Sequence, residues 1–164
     1  MAVEDDVFAA YGRAMHKGQA LEFWLRVVVA TKRTATNEFE TQDQVEVAVA
    51  TLSVSTLGTV FTALRKLQRD DVLERQLTEA VSERNRLAHH FFAQWDDRWT
   101  GVATNVQMIA DLERITSLFA DTIDRLVPLI SGNLDIIGSD PDSFVAGLAD
   151  RILARRITDG FMSE

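Results

Sequence analysis

The apolar positions along this chain recur mostly at the spacing of an α-helix. They return every three or four residues, whereas the strict alternation that indicates a β-strand is nearly absent. Only two prolines interrupt the chain, Pro128 and Pro141. Because periodic segments joined by short loops pack as antiparallel neighbours, the pattern predicts an all-α protein, with one domain over residues 1–164 built as an up-and-down bundle of four to five helices.

Loops and helix-breaking residues divide the chain into five predicted helical regions. The second region has a weak point at 53–58, where hydroxyl-bearing, β-branched and Gly residues disfavour helix and offer an N-cap. The fourth is expected to end at Ser131-Gly132-Asn133, and the fifth is a candidate appendage to the bundle. The predicted regions cover residues 5–31, 43–67, 72–95, about 109–130 and about 141–158.

The fourth region has the most regular pattern. Its seam positions alternate spacings of three and four residues, which suits packing inside a bundle or against a second subunit. The seam residues are Ile109, Leu112, Thr116, Phe119, Ile123, Leu126 and Ile130.

A charged residue interrupts the apolar stripe of the third region. At 100° per residue, with Leu73 at zero, Arg84 falls at about 20°. The stripe predicted to be buried consists of Leu73, Leu77, Ala80, Leu87, Ala88, Phe91 and Trp95. Because an unpaired guanidinium there would cost on the order of several kcal/mol, Arg84 must meet an anion, a carboxylate or a solvated cleft. The candidate carboxylates are Glu83, Asp96, Asp97 and the acids of the fourth helix.

Polar residues suited to phosphodiester chemistry follow Arg84. Asn85 and His89 are one helical turn apart on the flank of the stripe, and His90 points to the other flank. A permanent cation, an amide and a group that titrates near neutral pH form the set that phosphodiester cleavage requires. The structural alternative is that Arg84 pairs with an acid at the core edge while the histidines lie on the surface near a helix end. The spacing alone leaves both interpretations open.

The charge distribution limits what the chain can bind. A formal net charge of −8 disfavours broad, non-specific binding to nucleic acid, which depends on Lys and Arg replacing counterions. Residues 65–86 are the exception, with six basic residues against five acidic ones, so an anionic ligand is expected there. Arg65, Lys66 and Arg86 of this section are therefore candidate substrate-binding residues, together with His90 just beyond it.

Several kinds of site and location are disfavoured. The chain has no Cys, and it lacks the common metal-binding, phosphate-loop and nucleophile-elbow motifs, so we expect no cofactor and no metal. The acidic N-terminus lacks the layout of a signal peptide, and no apolar run approaches the ~18 residues that a membrane span needs. We predict a cytoplasmic protein that does not bind membranes.

The string Arg84-Asn85-Arg86-Leu87-Ala88-His89 resembles the signature of the HEPN superfamily. In that superfamily an Arg, often followed at once by a polar residue such as Asn, precedes a His after four to six residues on an internal helix. The continuation His90-Phe91-Phe92 is similar to bacterial members with the string RNxLAHxF. Tyr11-Gly12 and Gln19-Ala20-Leu21-Glu22 in the first helix resemble the same group.

The resemblance implies a helical bundle that dimerises, so that Arg84 and His89 of both copies line one composite cleft. It also implies a metal-independent endoribonuclease. His89 would handle proton transfer as the RNA 2′-hydroxyl attacks the adjacent phosphate, Arg84 would hold that phosphate, and Asn85 would orient either partner. The products would be a 2′,3′-cyclic phosphate and a 5′-hydroxyl. Some HEPN toxins carry a Tyr two residues after the His, which a nucleotidyltransferase modifies, but this chain has Phe91 there.

Two functions follow from this sequence. The first is an RNA-cleaving toxin or phage-defence effector with an antitoxin or nucleotidyltransferase as partner. The second is a non-catalytic HEPN-like module that dimerises and binds a nucleotide or a protein. Arg84 facing its symmetry mate across an open, solvated groove would favour the enzyme, whereas Arg84 buried on a carboxylate would favour the module.

Overall fold

The described part of the chain is helical almost throughout. The computed structural model describes residues 2–36, 44, 47–49, 52, 55–67, 70–95, 101–138, 140, 142–144 and 147. Its elements are α1 (Ala2–Ala35), α2 (Leu57–Leu67), α3 (Asp71–His89), a short 3-10 helix (Phe92–Gln94) and α4 (Val102–Ile137). These ranges contain no strand, which confirms the predicted all-α, bundle-type class. HEPN kinship and dimerisation stay predictions.

The chain divides into two compact units, each assembled from separated segments. The first unit comprises Met1–Trp24 and Gln68–Arg125, and the second comprises Leu25–Leu67 and Leu126–Glu164. Helices α1 and α4 therefore supply residues to both units. The arginine–histidine motif lies wholly in the first unit. The prediction of one domain over residues 1–164 stays a prediction.

The first unit is held together by apolar residues of α1, α3 and α4. The α3 stripe is largely as predicted, because Leu73, Leu77, Ala80 and Leu87 are buried and Phe91 follows them into the core. Ala88 and Trp95 are only half-buried. The other buried side chains of this unit include Val7, Ala10, Ala14 and Leu21 of α1 and Met108, Leu112, Ile115, Phe119 and Ile123 of α4.

The second unit has its own core, formed by the C-terminal parts of α1 and α4 together with α2. The run Val27-Val28-Val29-Ala30 is completely buried. Arg26 donates from Nε to the Leu52 carbonyl at 3.0 Å, and buried Asn133 donates from Nδ2 to Thr31 Oγ1 at 3.2 Å. Side-chain hydrogen bonds therefore support the apolar contacts in this unit.

Two helix starts follow from capping residues. Asp70 has an extended backbone, and its Oδ1 accepts from the N–H groups of Val72 and Leu73 at 3.0 Å, so it caps α3. Thr56 Oγ1 accepts from the Thr59 N–H at 3.3 Å at the start of α2. The predicted weak point at 53–58 is confirmed by the non-helical Ser55 and Thr56.

Two predicted helix ends were wrong. Helix α3 ends at His89, because the backbone turns at His90 and continues as a 3-10 turn instead of reaching residue 95. Helix α4 does not end at Ser131-Gly132-Asn133 but runs on to Ile137. Asn133 and Leu134 are buried, so tertiary packing overrides the weak local propensity there. Gly138, with a φ of 74°, supplies the left-handed residue that follows the helix.

Among the described residues, no helix combines the length and apolar character that crossing a membrane requires. Most of the predicted helix at about 141–158 lies outside the described residues. Within it, residues 142–144 and 147 are helical, and Phe144 is buried.

Candidate functional site

Arg84 lies in the buried stripe of α3 and is paired with a carboxylate. Its Nε donates to Glu22 Oε1 of α1 at 2.5 Å. The Glu22 side chain is only 12% exposed, whereas the Arg84 side chain is 31% exposed. The stem of Arg84 is therefore anchored at the core edge while part of the side chain reaches solvent, as expected for a long amphipathic side chain.

Gly18 lies one helical turn before Glu22 on α1 and provides room beside Arg84. A Cβ atom at Gly18 would lie 3.2 Å from Cε2 of Phe119 and 3.8 Å from Cγ of Arg84. The first distance is too short for comfortable packing, and the second is an ordinary contact. Gly18 therefore allows α1 to approach the Phe119 ring closely at the point where Arg84 crosses it.

Asn85, His89 and His90 are all exposed. Asn85 and His89 are four residues apart on α3, so their side chains share one edge of the helix. His90 is the residue that caps the end of α3, and the His89 and His90 rings are 6.1 Å apart. Because five residues correspond to about 140° around a helix, His89 and Arg84 point in different directions from α3.

Arg86 is held in a network of charges between α3 and α4. Its Nε donates to Glu83 at 2.7 Å, its Nη2 to Asp111 at 2.8 Å and its Nη1 to Gln94 at 3.1 Å. Arg114 donates to the same two carboxylates, at 2.6 Å to Glu83 and 3.1 Å to Asp111. The hydrogen bond that Arg114 donates to Glu83 is the main cause that raises the pKa of Arg114. Arg86 therefore uses its side-chain N–H groups for contacts within the protein.

The two remaining substrate-binding candidates belong to the second unit. Arg65 and Lys66 are exposed in the last turn of α2. The Arg65 guanidinium carbon lies 5.8 Å from the centre of the Phe61 ring. This separation is in the range of a cation–π contact.

An aromatic cluster joins the end of α3 to α1. The Tyr11 ring lies 5.8 Å from Phe91 and 4.8 Å from Phe92, and its hydroxyl donates to the Leu87 carbonyl at 3.0 Å. Phe8 adds a ring 5.8 Å from Phe92. Phe91 is 1% exposed and is therefore a core residue. The cluster fixes the backbone that carries His89.

The sequence did not identify Glu22 as the partner of Arg84. The expected neighbours on α3 and α4 bond other residues, since Glu83 and Asp111 contact Arg86 and Arg114. Asp96 and Asp97 lie outside the described residues. One signal was available: a Gly inside an otherwise good helix, four residues before a Glu, indicates a place where another element approaches closely.

In the part of the chain that the structure describes, no three His, Asp or Glu side chains are grouped as metal ligands would be. Two open grooves are lined by other residues, namely Ala10, Arg13, Glu113, Thr116 and Ser117 for one and Asp71, Glu74, Arg75 and Thr78 for the other.

No protein family, curated protein or solved structure matches the chain.

Proposed function

We propose that this protein is a HEPN-type endoribonuclease, of the toxin or phage-defence kind, that acts on RNA without a metal ion. The observation that carries the proposal is Arg84, a half-buried cation in an otherwise apolar stripe, whose side chain is 31% exposed. Asn85 and His89 follow it on an exposed edge of the same helix. This combination supplies a phosphate-binding cation, an amide and a proton-transfer group within six residues.

The chemistry assigns one role to each residue. The 2′-oxygen of the RNA attacks the adjacent phosphorus and transfers its proton to His89, the P–O5′ bond breaks, and the 5′-oxygen takes up a proton from water. Arg84 stabilises the negative charge on the phosphoryl oxygens. Asn85, one turn from His89, orients the imidazole or the phosphate. The divergence of about 140° between Arg84 and His89 supports a site completed by a second copy of the chain.

An RNA-cleavage assay in EDTA tests the proposal. His89→Ala and Arg84→Ala should each abolish cleavage and leave far-UV circular dichroism unchanged, and products should carry a 2′,3′-cyclic phosphate. His16→Ala is the matched control, because His16 is an exposed histidine on α1 of the same unit. Cleavage by His89→Ala at the wild-type rate would show that the assigned site is wrong.

A non-catalytic HEPN-like module that dimerises and binds a nucleotide or protein is the second candidate. The observation in its favour is the Arg84–Glu22 pair, because the carboxylate is 12% exposed and the contact alone accounts for an arginine at this position. On this alternative, Arg84→Ala should cost about 2 kcal/mol because the buried carboxylate loses this cation, which lowers the melting temperature by about 4–8 °C. The same variant should have no effect on RNA cleavage or RNA binding.

A further inference from the structure

We propose that Glu22 is a positioning residue for Arg84, which it holds by Nε so that Nη1 and Nη2 meet an RNA phosphate end-on. The inference rests on the proposed ribonuclease function. Its basis is which nitrogen is paired, since Glu22 Oε1 accepts from Nε. Within the described residues, neither Nη atom of Arg84 donates a hydrogen bond to the protein.

The pairing restricts how Arg84 can bind an anion. A guanidinium carries five N–H groups in a rigid fork and can grip a phosphate side-on, through Nε and one Nη, or end-on, through both Nη atoms. Because Glu22 occupies Nε, the side-on geometry is closed and the end-on geometry remains. The pair therefore gives the arginine a defined direction.

The stem of Arg84 lies beside α1 at Gly18. Its Cγ passes at van der Waals distance from the space that Gly18 leaves open, next to the Phe119 ring. Glu22, one turn further along α1, then holds Nε. An arginine ordered before the ligand arrives has already lost its rotamer freedom during folding, so less entropy is lost on binding.

The same carboxylate would act in the opposite way if it masked Arg84. A masking carboxylate would compete with phosphate for the Nη edge, and its removal would speed up cleavage. The observed contact at Nε leaves that edge available. If Glu22 orients Arg84, removing Glu22 should slow cleavage. If Glu22 masks Arg84, removing it should speed cleavage up.

The cleavage kinetics of three variants distinguish an orienting Glu22 from a masking one. Glu22→Ala removes the acceptor, Glu22→Gln keeps an oxygen for Nε, and Glu113→Gln removes a carboxylate from an exposed position of α4 as a charge-matched control. We expect Glu22→Ala to lower kcat about 10- to 100-fold with a smaller change in KM. Glu22→Gln should recover most of that loss, and Glu113→Gln should match wild type.

The ¹⁵N–¹H signal of Arg84 Nε, assigned by its loss in Arg84→Lys, gives a readout that does not depend on cleavage. In wild type it should be a resolved signal that keeps its position when a non-cleavable 2′-deoxy oligonucleotide is added. In Glu22→Ala it should broaden by exchange with water. A signal unaffected by Glu22→Ala, or cleavage by that variant at or above the wild-type rate, overturns the positioning role. If wild type neither binds nor cuts RNA, the ribonuclease proposal and the phosphate ligand fail together, while this signal still decides whether Glu22 holds Arg84.

Discussion

Replacing Gly18 by Ala tests the packing on which the candidate site depends. Two terms of opposite sign determine the result. Exchanging Gly for Ala inside a helix favours folding by about 0.5–1 kcal/mol. Against this, the new Cβ would lie 3.2 Å from Cε2 of Phe119, and overpacking of this kind typically costs about 1–3 kcal/mol. The sum predicts a net destabilisation of about 0–2.5 kcal/mol.

Gly12 provides a matched control on the same helix. It is exposed, and a Cβ there would meet nothing within 4 Å, so Gly12→Ala contains only the favourable helix term. At about 2–4 °C per kcal/mol for a chain of this size, Gly12→Ala should raise the melting temperature by about 1–4 °C. Gly18→Ala should lower it or leave it unchanged. The difference between the two variants measures the contact with Phe119.

Thermal denaturation followed by circular dichroism, supported by urea titration, gives the two free energies. A double variant, Gly18→Ala with Phe119→Leu, should be more stable than the sum of the single changes predicts, because the smaller side chain makes room for the Cβ atom. Equal stabilisation by Gly12→Ala and Gly18→Ala would refute the close approach of α1 to Phe119.

Three further predictions concern other parts of the structure. Asp111→Asn removes an ion-pair partner from Arg86 and Arg114 and should cost about 1–2 kcal/mol in urea denaturation. Asp121→Asn, at an exposed position of α4, is its control and should cost less than about 0.5 kcal/mol. Asp70→Ala removes the N-cap of α3 and should cost about 1 kcal/mol, with Asp70→Asn close to wild type. The backbone N–H of Ser143 lowers the pKa of Asp140 below its ordinary 3.8. The stabilisation from this carboxylate is therefore present above that pH and is lost as pH falls through the lower, folded-state pKa. An NMR titration that gives a pKa of 3.8 or more for Asp140 would contradict this.

The sequence alone identified most of the residues of α3 that face the core. Leu73, Leu77, Ala80 and Leu87 recur at helical spacing and are buried, because burial of an amphipathic helix follows from its periodicity. The same reasoning identified Arg84 as the residue that must find a partner. The start of α3 at Asp70 was also predictable, because N-capping is a local interaction between residues close in sequence.

Long-range pairing was decided only by the tertiary structure. Glu22 is 62 positions before Arg84, and nothing in the local spacing of α3 indicates that α1 rather than α4 crosses it there. Glu83 is the immediate neighbour of Arg84 in sequence, but it points toward Arg86 and Arg114. Ion pairs between helices depend on the angle and rotation at which the helices pack, which no single helix encodes.

The end of α4 shows the same division between local and tertiary effects. Ser131, Gly132 and Asn133 have weak helix propensity, so the sequence favoured a stop, but α4 continues to Ile137. Burial of Leu134 and the bond from Asn133 to Thr31, 102 positions away, stabilise the added turn. Thus the sequence determined the helical spacing and singled out Arg84, Asn85 and His89. Tertiary packing decided that Arg84 is held by Glu22, because that contact comes from α1.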